Sequence, residues 1–254
     1  APVAAGLSTS MLQPSLAALI VIGIGILVGA SLVHAFVLAG YMALAFGSPL
    51  VEPALALSLL GGIGRYLLLA IPFFLLAGGL LTVSGAAGDL VRFAAAMVGR
   101  RRAGLGQTVL LTSVLFSGVS GSSIANAAFS SKTFMKPLAA AGYTPERAAG
   151  IVASTAVLDN IIPPSIAFFI LAAATSLPVG PLLTGGLFAG LALAAALAIA
   201  IHFMAGSDGH AMEQPQAPRW RLALRAVPVF GLGLIVVAGI RLGIVSPTEA
   251  AALA

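Results

Sequence analysis

The 254 residues are 60% hydrophobic and only 7% charged, far below the ~25% charged content of a soluble domain. With a mean hydropathy of +1.12, the chain cannot cover its own surface for water and reads as an all-α, polytopic membrane protein, one membrane domain over 1–254. The lack of cysteine excludes disulfides, zinc–thiolate sites and thiol nucleophiles. The net charge of +5 lies in short clusters between apolar runs, the pattern of cytoplasmic loops, so no nucleic-acid partner is expected.

The N-terminal APVAAGLSTS has no basic stretch and does not read as a signal peptide. An apolar block at 15–46 is interrupted at Gly29-Ala30-Ser31. It is too long for one span of ~20 residues and too short for two, so it predicts two short helices meeting near Gly29. A loop over 47–65, carrying Pro49, Glu52 and Pro53, completes this scaffold-type region. Residues 66–84 form a span in which Pro72 predicts a kink. A cytoplasmic connector with Asp89 and Arg92 then leads to Arg100-Arg101-Arg102.

After the segment 103–135, Thr144-Pro145-Glu146 carries a helix start: Thr as N-cap, Pro at the first helical position, an acid in the first turn. The apolar stretch 147–177 contains Pro163-Pro164, which predicts a helix broken inside the membrane. LPVGP at 177–181 predicts a turn, and 182–204 an unbroken span. The polar stretch 206–225 reads as a cytoplasmic loop ending in an interfacial amphipathic segment, WRLALR, with Trp220 among Arg219, Arg221 and Arg225. A last span is expected from Ala226 to about Ile240. Ser246-Pro247-Thr248-Glu249 then matches a capping box that opens another helix. Because the chain stops just there, an excerpt of a longer protein is expected.

Charge placement constrains the segment 103–135. Ten of the twelve basic residues, all but Arg65 and Arg241, are assigned to the cytoplasm by the positive-inside rule. Only 29 residues, 103–131, separate Arg102 from Lys132. A full crossing and return needs ~40 residues. The spacing therefore predicts a re-entrant helical hairpin with arms of ~13–14 residues, each reaching ~20 Å. Its tip lies near SGVSGSS, where six serines and Asn126 collect within 116–132. Backbone that leaves helical geometry at such depth must be buried in protein or line a wet cavity.

Asp159-Asn160, just before the double proline, is a second polar site inside an apolar span. A carboxylate there faces a cavity or a cation, because hydrocarbon disfavours its charge by a few kcal/mol. A hairpin tip and a broken helix near the midplane together read as the architecture of a secondary transporter.

The runs IPFFLLAGGLL (71–81), SGVSGSSIANAA (117–128), GY (142–143), IIPPSI (161–166) and GIVSPTEAAA (243–252) occur in that order. Together they resemble the large membrane permease (DctM-like) subunit of tripartite ATP-independent periplasmic (TRAP) transporters, over about 60–254 and corresponding to its N-terminal half. The resemblance implies a sodium-coupled importer of small carboxylates in the bacterial inner membrane, multi-pass, with Na⁺ as coupling ion and no other cofactor. It implies two protein partners, a small membrane subunit and a periplasmic substrate-binding protein, besides membrane lipid, and an elevator-like movement. By position, sodium contacts carry over to Ser120, Gly121, Ser122 and Ser123 and extend to Pro163, Pro164 and Ser165. Three features depart from the family: its chains continue into a second, inverted half with its own hairpin and helix break, FSSKTFMKPLAAA replaces a run with Gly and Pro-Met, and Asp159-Asn160 stands where small or apolar residues are usual.

The candidate sodium and substrate residues are therefore Ser120, Gly121, Ser122, Ser123, Asn126, Asp159, Asn160, Pro163, Pro164 and Ser165, with Ser120, Ser122 and Asp159 as Na⁺ ligands. Competing readings remain for several. The serines and glycine can serve close helix packing, Asn126 can hold the hairpin shut, Asp159 can be a structural pair, and Ser165 can cap a half-helix. Gly118-Val119-Ser120-Gly121 also spells GxSG, which resembles the nucleophile motif of rhomboid intramembrane proteases, with His202 or His34 as the base. A non-transporting accessory membrane subunit is the third reading.

Overall fold

Away from water a backbone must satisfy its own N–H and C=O groups, and a helix does so within one segment. Every regular element among the described residues is helical, with no strand. The structure, a computed structural model, describes residues 2–47, 52–99, 103–204 and 218–253. Pro49, the Arg100-Arg101-Arg102 triplet and most of the polar loop, 205–217, lie outside the described residues. The chain divides into two units, Ala1–Gly64 and Arg65–Ala254.

In the first unit α1 (Pro2–Val28) and α2 (Leu32–Gly47) pack as a hairpin that turns at Gly29. Gly29 has φ +79°, a conformation that L side chains rarely tolerate. The turn falls where the apolar block is interrupted, although α1 begins well before residue 15. The expected loop over 47–65 is instead largely α3 (Glu52–Ile63). Pro53 is its second residue, where a missing N–H is tolerated, and the Ala and Leu residues that follow are strong helix formers.

The second unit opens with a 3₁₀ turn (Tyr66–Leu69) that runs into α4 (Ala70–Val83). Pro72 is the third residue of α4, directly after the 3₁₀ turn, and its fixed φ suits that first turn. The connector expected after Gly85 is itself a helix, α5 (Ala86–Val98). Then come α6 (Gly104–Ser120), α7 (Ser123–Ala140) and α8 (Pro145–Ala156), followed by a 3₁₀ turn (Val157–Asn160). Helical geometry is absent from 161 to 165 and resumes in α9 (Ile166–Thr175) and α10 (Val179–Met204). The arms α6 and α7, of 17 and 18 residues, exceed the expected 13–14. Lys132 and Lys136 do not end a helix, and α7 continues past both.

The interfacial WRLALR segment and the span expected from Ala226 are one helix, α11 (Arg219–Arg241). No turn-forming residue separates Arg225 from Ala226, and Leu, Ala and Arg all favour helix. Arg221 stacks on the Trp220 ring at 5.2 Å. In α12 (Pro247–Leu253) the capping box forms: Ser246 N–H donates to Glu249 Oε2 at 2.7 Å and Glu249 N–H to Ser246 Oγ at 3.3 Å. The Ser246 hydroxyl and N–H hold the Glu249 carboxyl below its ordinary range. At α8 the cap is likewise in place, with Arg147 N–H donating to Thr144 Oγ1 at 3.4 Å; such caps contribute about 1 kcal/mol each.

Tyr66–Val83 and Val179–Met204 are long and apolar enough to cross a membrane: their most apolar 18-residue stretches have mean hydropathies of 2.2 and 2.3, and only 22% and 11% of those stretches are buried. Core helices of a soluble protein are covered, so these helices present apolar surface outward as lipid-facing spans do. The main core lies among α6, α7, α8 and the second 3₁₀ turn, centred on Leu105, Val109, Phe134, Leu138, Ile151 and Leu158. Against it α10 approaches closely. A Cβ on Gly186 would lie 2.6 Å from the Ile161 carbonyl oxygen and overlap the Phe168 ring.

That contact makes Gly186 a sensitive position. Gly186→Val should lower the stability of the assembled subunit by about 1–3 kcal/mol through overpacking, read as a thermal shift in detergent. Gly185→Val, whose Cβ meets nothing within 4 Å, should leave the transition within experimental error of wild type.

Candidate functional site

The hairpin turn is built from three small residues. Ser120 ends α6, Gly121 adopts φ +58°, and Ser122 is extended and caps α7, its hydroxyl accepting from Ala125 N–H at 3.5 Å. Ser120 Oγ closes the turn on itself, donating to the Ser122 carbonyl oxygen and accepting from Ser122 N–H, each at 3.3 Å. Gly121 is required twice over. Its φ favours glycine, and a Cβ would sit 2.6 Å from the Pro164 carbonyl oxygen.

The non-helical stretch 161–165 packs on this turn. Ile166 N–H, at the start of α9, donates to the Gly121 carbonyl oxygen at 3.4 Å. Asn160 Nδ2 donates to Ser123 Oγ at 3.1 Å, and Ser165 Oγ donates to the Asn160 carbonyl oxygen at 2.7 Å. Ser165 thus ties the ends of the stretch together and does not cap α9 through its side chain. Pro163 and Pro164 supply backbone shape: Pro164 offers its carbonyl to the Gly121 contact, while Pro163 lines a small apolar cavity between α6, α10 and α11.

Beneath the turn lies a fully buried polar cluster. Asn126 Nδ2 donates to Asp159 Oδ1 at 2.7 Å, and both side chains are inaccessible to solvent. Asn126 Oδ1 in turn accepts from Ser130 Oγ at 2.9 Å and, more weakly, from Ser113 Oγ at 3.5 Å. The amide therefore uses both ends, one bracing the carboxylate and one drawing α6 and α7 together. Asp159 Oδ2 and Thr112 Oγ1 are buried with no hydrogen-bond partner among the described residues. No ion pair reaches Asp159 among the described residues.

Of the residues singled out from sequence, Ser120 to Ser123, Asn126, Asp159, Asn160, Pro164 and Ser165 come together in this one region; Pro163 adjoins it. Asn126 is a bridge within the cluster, not an exposed contact. Ser113, Ser130 and Gly78 were not singled out. Ser130 follows Asn126 by four positions on one helix face, a spacing readable in the sequence. Ser113 and Gly78 gave no such signal. Gly78 matters because a Cβ there would lie 3.3 Å from Ser120 Cα, so α4 meets the hairpin turn backbone to backbone.

Among the described residues the nucleophile geometry of a serine protease is missing. The Ser120 hydroxyl is engaged with Ser122, no histidine hydrogen-bonds to it among the described residues, and no cluster of three potential metal-ligating side chains occurs among them.

The sequence model of the family described as "Tripartite ATP-independent periplasmic transporter, DctM component" matches residues 15–254. The chain is 38% identical over 197 residues to the C4-dicarboxylate TRAP transporter large permease protein DctM of Vibrio cholerae, covering 75% of this chain and 43% of that protein. It is 38% identical over 224 residues to the protein of the same name from Pseudomonas aeruginosa, covering 85% and 51%. To the sialic acid TRAP transporter large permease protein SiaM of Vibrio cholerae it is 33% identical over 202 residues, covering 78% and 47%. The chain spans about half the length of these curated relatives.

The buried pair makes a mutational cycle informative. Asn126→Leu leaves the buried Asp159 Oδ1 without its donor and should destabilise by about 1–3 kcal/mol. Asn126→Leu with Asp159→Leu should be milder than the sum of the single changes, because neither leaves a polar partner unsatisfied. Additive losses in thermal unfolding of the assembled subunit would show that the two side chains are not coupled.

Proposed function

Because the chain belongs to the DctM component family of tripartite ATP-independent periplasmic transporters, which are membrane permeases and not enzymes, we propose that it forms part of a sodium-coupled importer of a small organic acid. The substrate class follows the relatives, whose names specify C4-dicarboxylate and sialic acid. In this reading a periplasmic binding protein delivers the carboxylate, a small membrane subunit completes the assembly, and the site is the bacterial inner membrane.

The observation that carries the reading is the junction of the α6–α7 turn with the stretch 161–165, joined through Gly121, Ser123, Asn160 and Ile166 above a carboxyl group that no cation among the described residues pairs with. In a membrane-embedded chain, non-helical backbone is tolerated where it lines a path for polar cargo. Ser120, Ser122 and Asp159 supply the hard oxygen atoms that Na⁺ prefers, and the unpartnered Asp159 Oδ2 leaves one acceptor free. Sodium bound there offsets the buried charge and holds the turn against α9. The N-terminus of α9 carries the positive end of its dipole and favours the anionic cargo. The hairpin is re-entrant in this reading, entering and leaving on the cytoplasmic side, and the stretch 161–165 interrupts a membrane helix at mid-depth.

Uptake by the complete assembled transporter in proteoliposomes tests the coupling. Transport should collapse when the sodium gradient is removed. Asp159→Asn should require about tenfold more sodium for half-maximal uptake, the equivalent of one lost ~1.4 kcal/mol contact. Uptake indifferent to sodium would falsify the coupling. Topology is tested separately on the cysteine-free chain: cysteines placed at Arg92 and Lys132 should both react with an impermeant maleimide from the cytoplasmic face only. Labelling of Lys132→Cys from the periplasm would rule out a re-entrant hairpin.

A further inference from the structure

Transport as proposed uses the side of the hairpin that faces α9, and the opposite side carries a different kind of site. Between α4 and the two hairpin arms lies a cavity of about 480 Å³. Leu75, Gly79 and Val83 line it from α4, Phe116 and Phe129 from the arms. The two phenyl rings stack at 4.9 Å between centroids, 8° from parallel. They make a flat apolar wall spanning α6 and α7. From Leu75 to Val83 the α4 wall runs ~12 Å along the helix.

One charged residue lines this cavity, Lys132. It is the lining residue of α7 farthest from the hairpin turn. Its ammonium has no ion-pair partner among the described residues: Asp89 pairs with Arg92, Glu146 is engaged at the Thr144 cap, Asp159 is held by Asn126, and Glu249 by Ser246. Apart from Thr82 and from Ser120 at the end by the hairpin turn, the cavity's described lining is apolar, with one uncompensated cation. Lys132 stands ten residues beyond Ser122, ~15 Å along α7, which is half the ~30 Å thickness of a bilayer's hydrocarbon core. With the turn at mid-depth, the ammonium reaches the level of lipid headgroups.

We propose that the cavity between α4 and the α6–α7 hairpin is a binding site for an anionic phospholipid, with an acyl chain along Leu75, Gly79, Val83, Phe116 and Phe129 and the phosphate on Lys132. An acyl chain fills the space with dispersion contacts that the apolar walls otherwise lack, and the phosphate supplies the anion missing beside the lysine. A short, highly polar carboxylate matches the walls poorly, since its remaining polar groups stay unpaired against them. Only the depth assigned to Lys132 rests on the re-entrant reading; the cavity and its charge do not.

The full-length subunit in its complete assembly, purified without substrate or sodium, provides the test, so the outcome is independent of coupling. Native mass spectrometry and thermal shifts are read with phosphatidylglycerol, phosphatidylcholine and oleate as probes. Phosphatidylglycerol should be retained and should raise the unfolding temperature more than phosphatidylcholine does. Lys132→Gln should weaken it about fivefold, the effect of one lysine at the headgroup level, and Lys136→Gln, outside the cavity, should not. Gly79→Leu, whose added carbon meets nothing within 4 Å, should fill the space and abolish retention. Should Gly79→Leu fail to fold, the Lys132→Gln and Lys136→Gln pair still decides. Retention unchanged in Lys132→Gln, equal binding of phosphatidylcholine, or stronger binding of oleate would overturn the assignment. Displacement of the lipid by the transported carboxylate would also overturn it, making the cavity a substrate site.

Discussion

A buried carboxyl group with no ion-pair partner among the described residues constrains everything around it. Asp159 lies in an apolar chain, fully covered, and its neighbour is an amide. Charge in such surroundings is costly unless hydrogen-bonded, so Asn126 must present its Nδ2 to Asp159 at one depth and one rotation of α7. Ser130 and Ser113 then hold the amide in that orientation by donating to its oxygen. The register of α7 against α6, and of both against the 157–160 turn, follows from satisfying these few atoms. Asp159 Oδ2, left over, is where the cluster departs from a purely structural polar core.

Small residues make that arrangement reachable. Gly121 lets the hairpin turn touch the Pro164 carbonyl, Gly78 lets α4 approach Ser120, and Gly233 approaches Gly118, where a Cβ would lie 3.1 Å from the Gly118 carbonyl oxygen. In a membrane, where burying apolar surface against lipid gains little, such backbone approaches supply much of the helix association. The glycines are therefore not slack in the chain. They define where helices cross and leave the hairpin turn as the point at which α4, α6 and the 161–165 stretch converge.

The hairpin has two chemically different sides that meet at Ser120. Toward the 157–165 segment it offers backbone carbonyls, serine hydroxyls and the Asn126 amide that meets Asp159. Toward α4 it offers stacked phenyl rings and a single lysine. Such segregation suits a membrane permease, because polar groups gather on one side while the apolar side can meet hydrocarbon. The apolar faces of α4 and α10 continue the lipid-like side outward.

The amino-acid sequence by itself determined what depends on neighbours a few positions apart. The scarcity of charge required helices in a membrane. Thr144-Pro145-Glu146 and Ser246-Pro247-Thr248-Glu249 marked helix starts, and Gly29 and the Ser120–Ser123 run marked turns, because caps and positive φ are properties of a handful of consecutive residues. The same local reasoning failed where one residue has two local meanings: Pro72 and Pro53 start helices here, and Lys132 and Arg225 lie within helices that continue past them. Tertiary structure alone decided the site's partners. Asn126 and Asp159 are 33 positions apart, and Ser113 and Gly78 carry no mark in sequence. Their meeting depends on the rotation and crossing of whole helices, which side-chain volume sets and local propensity does not.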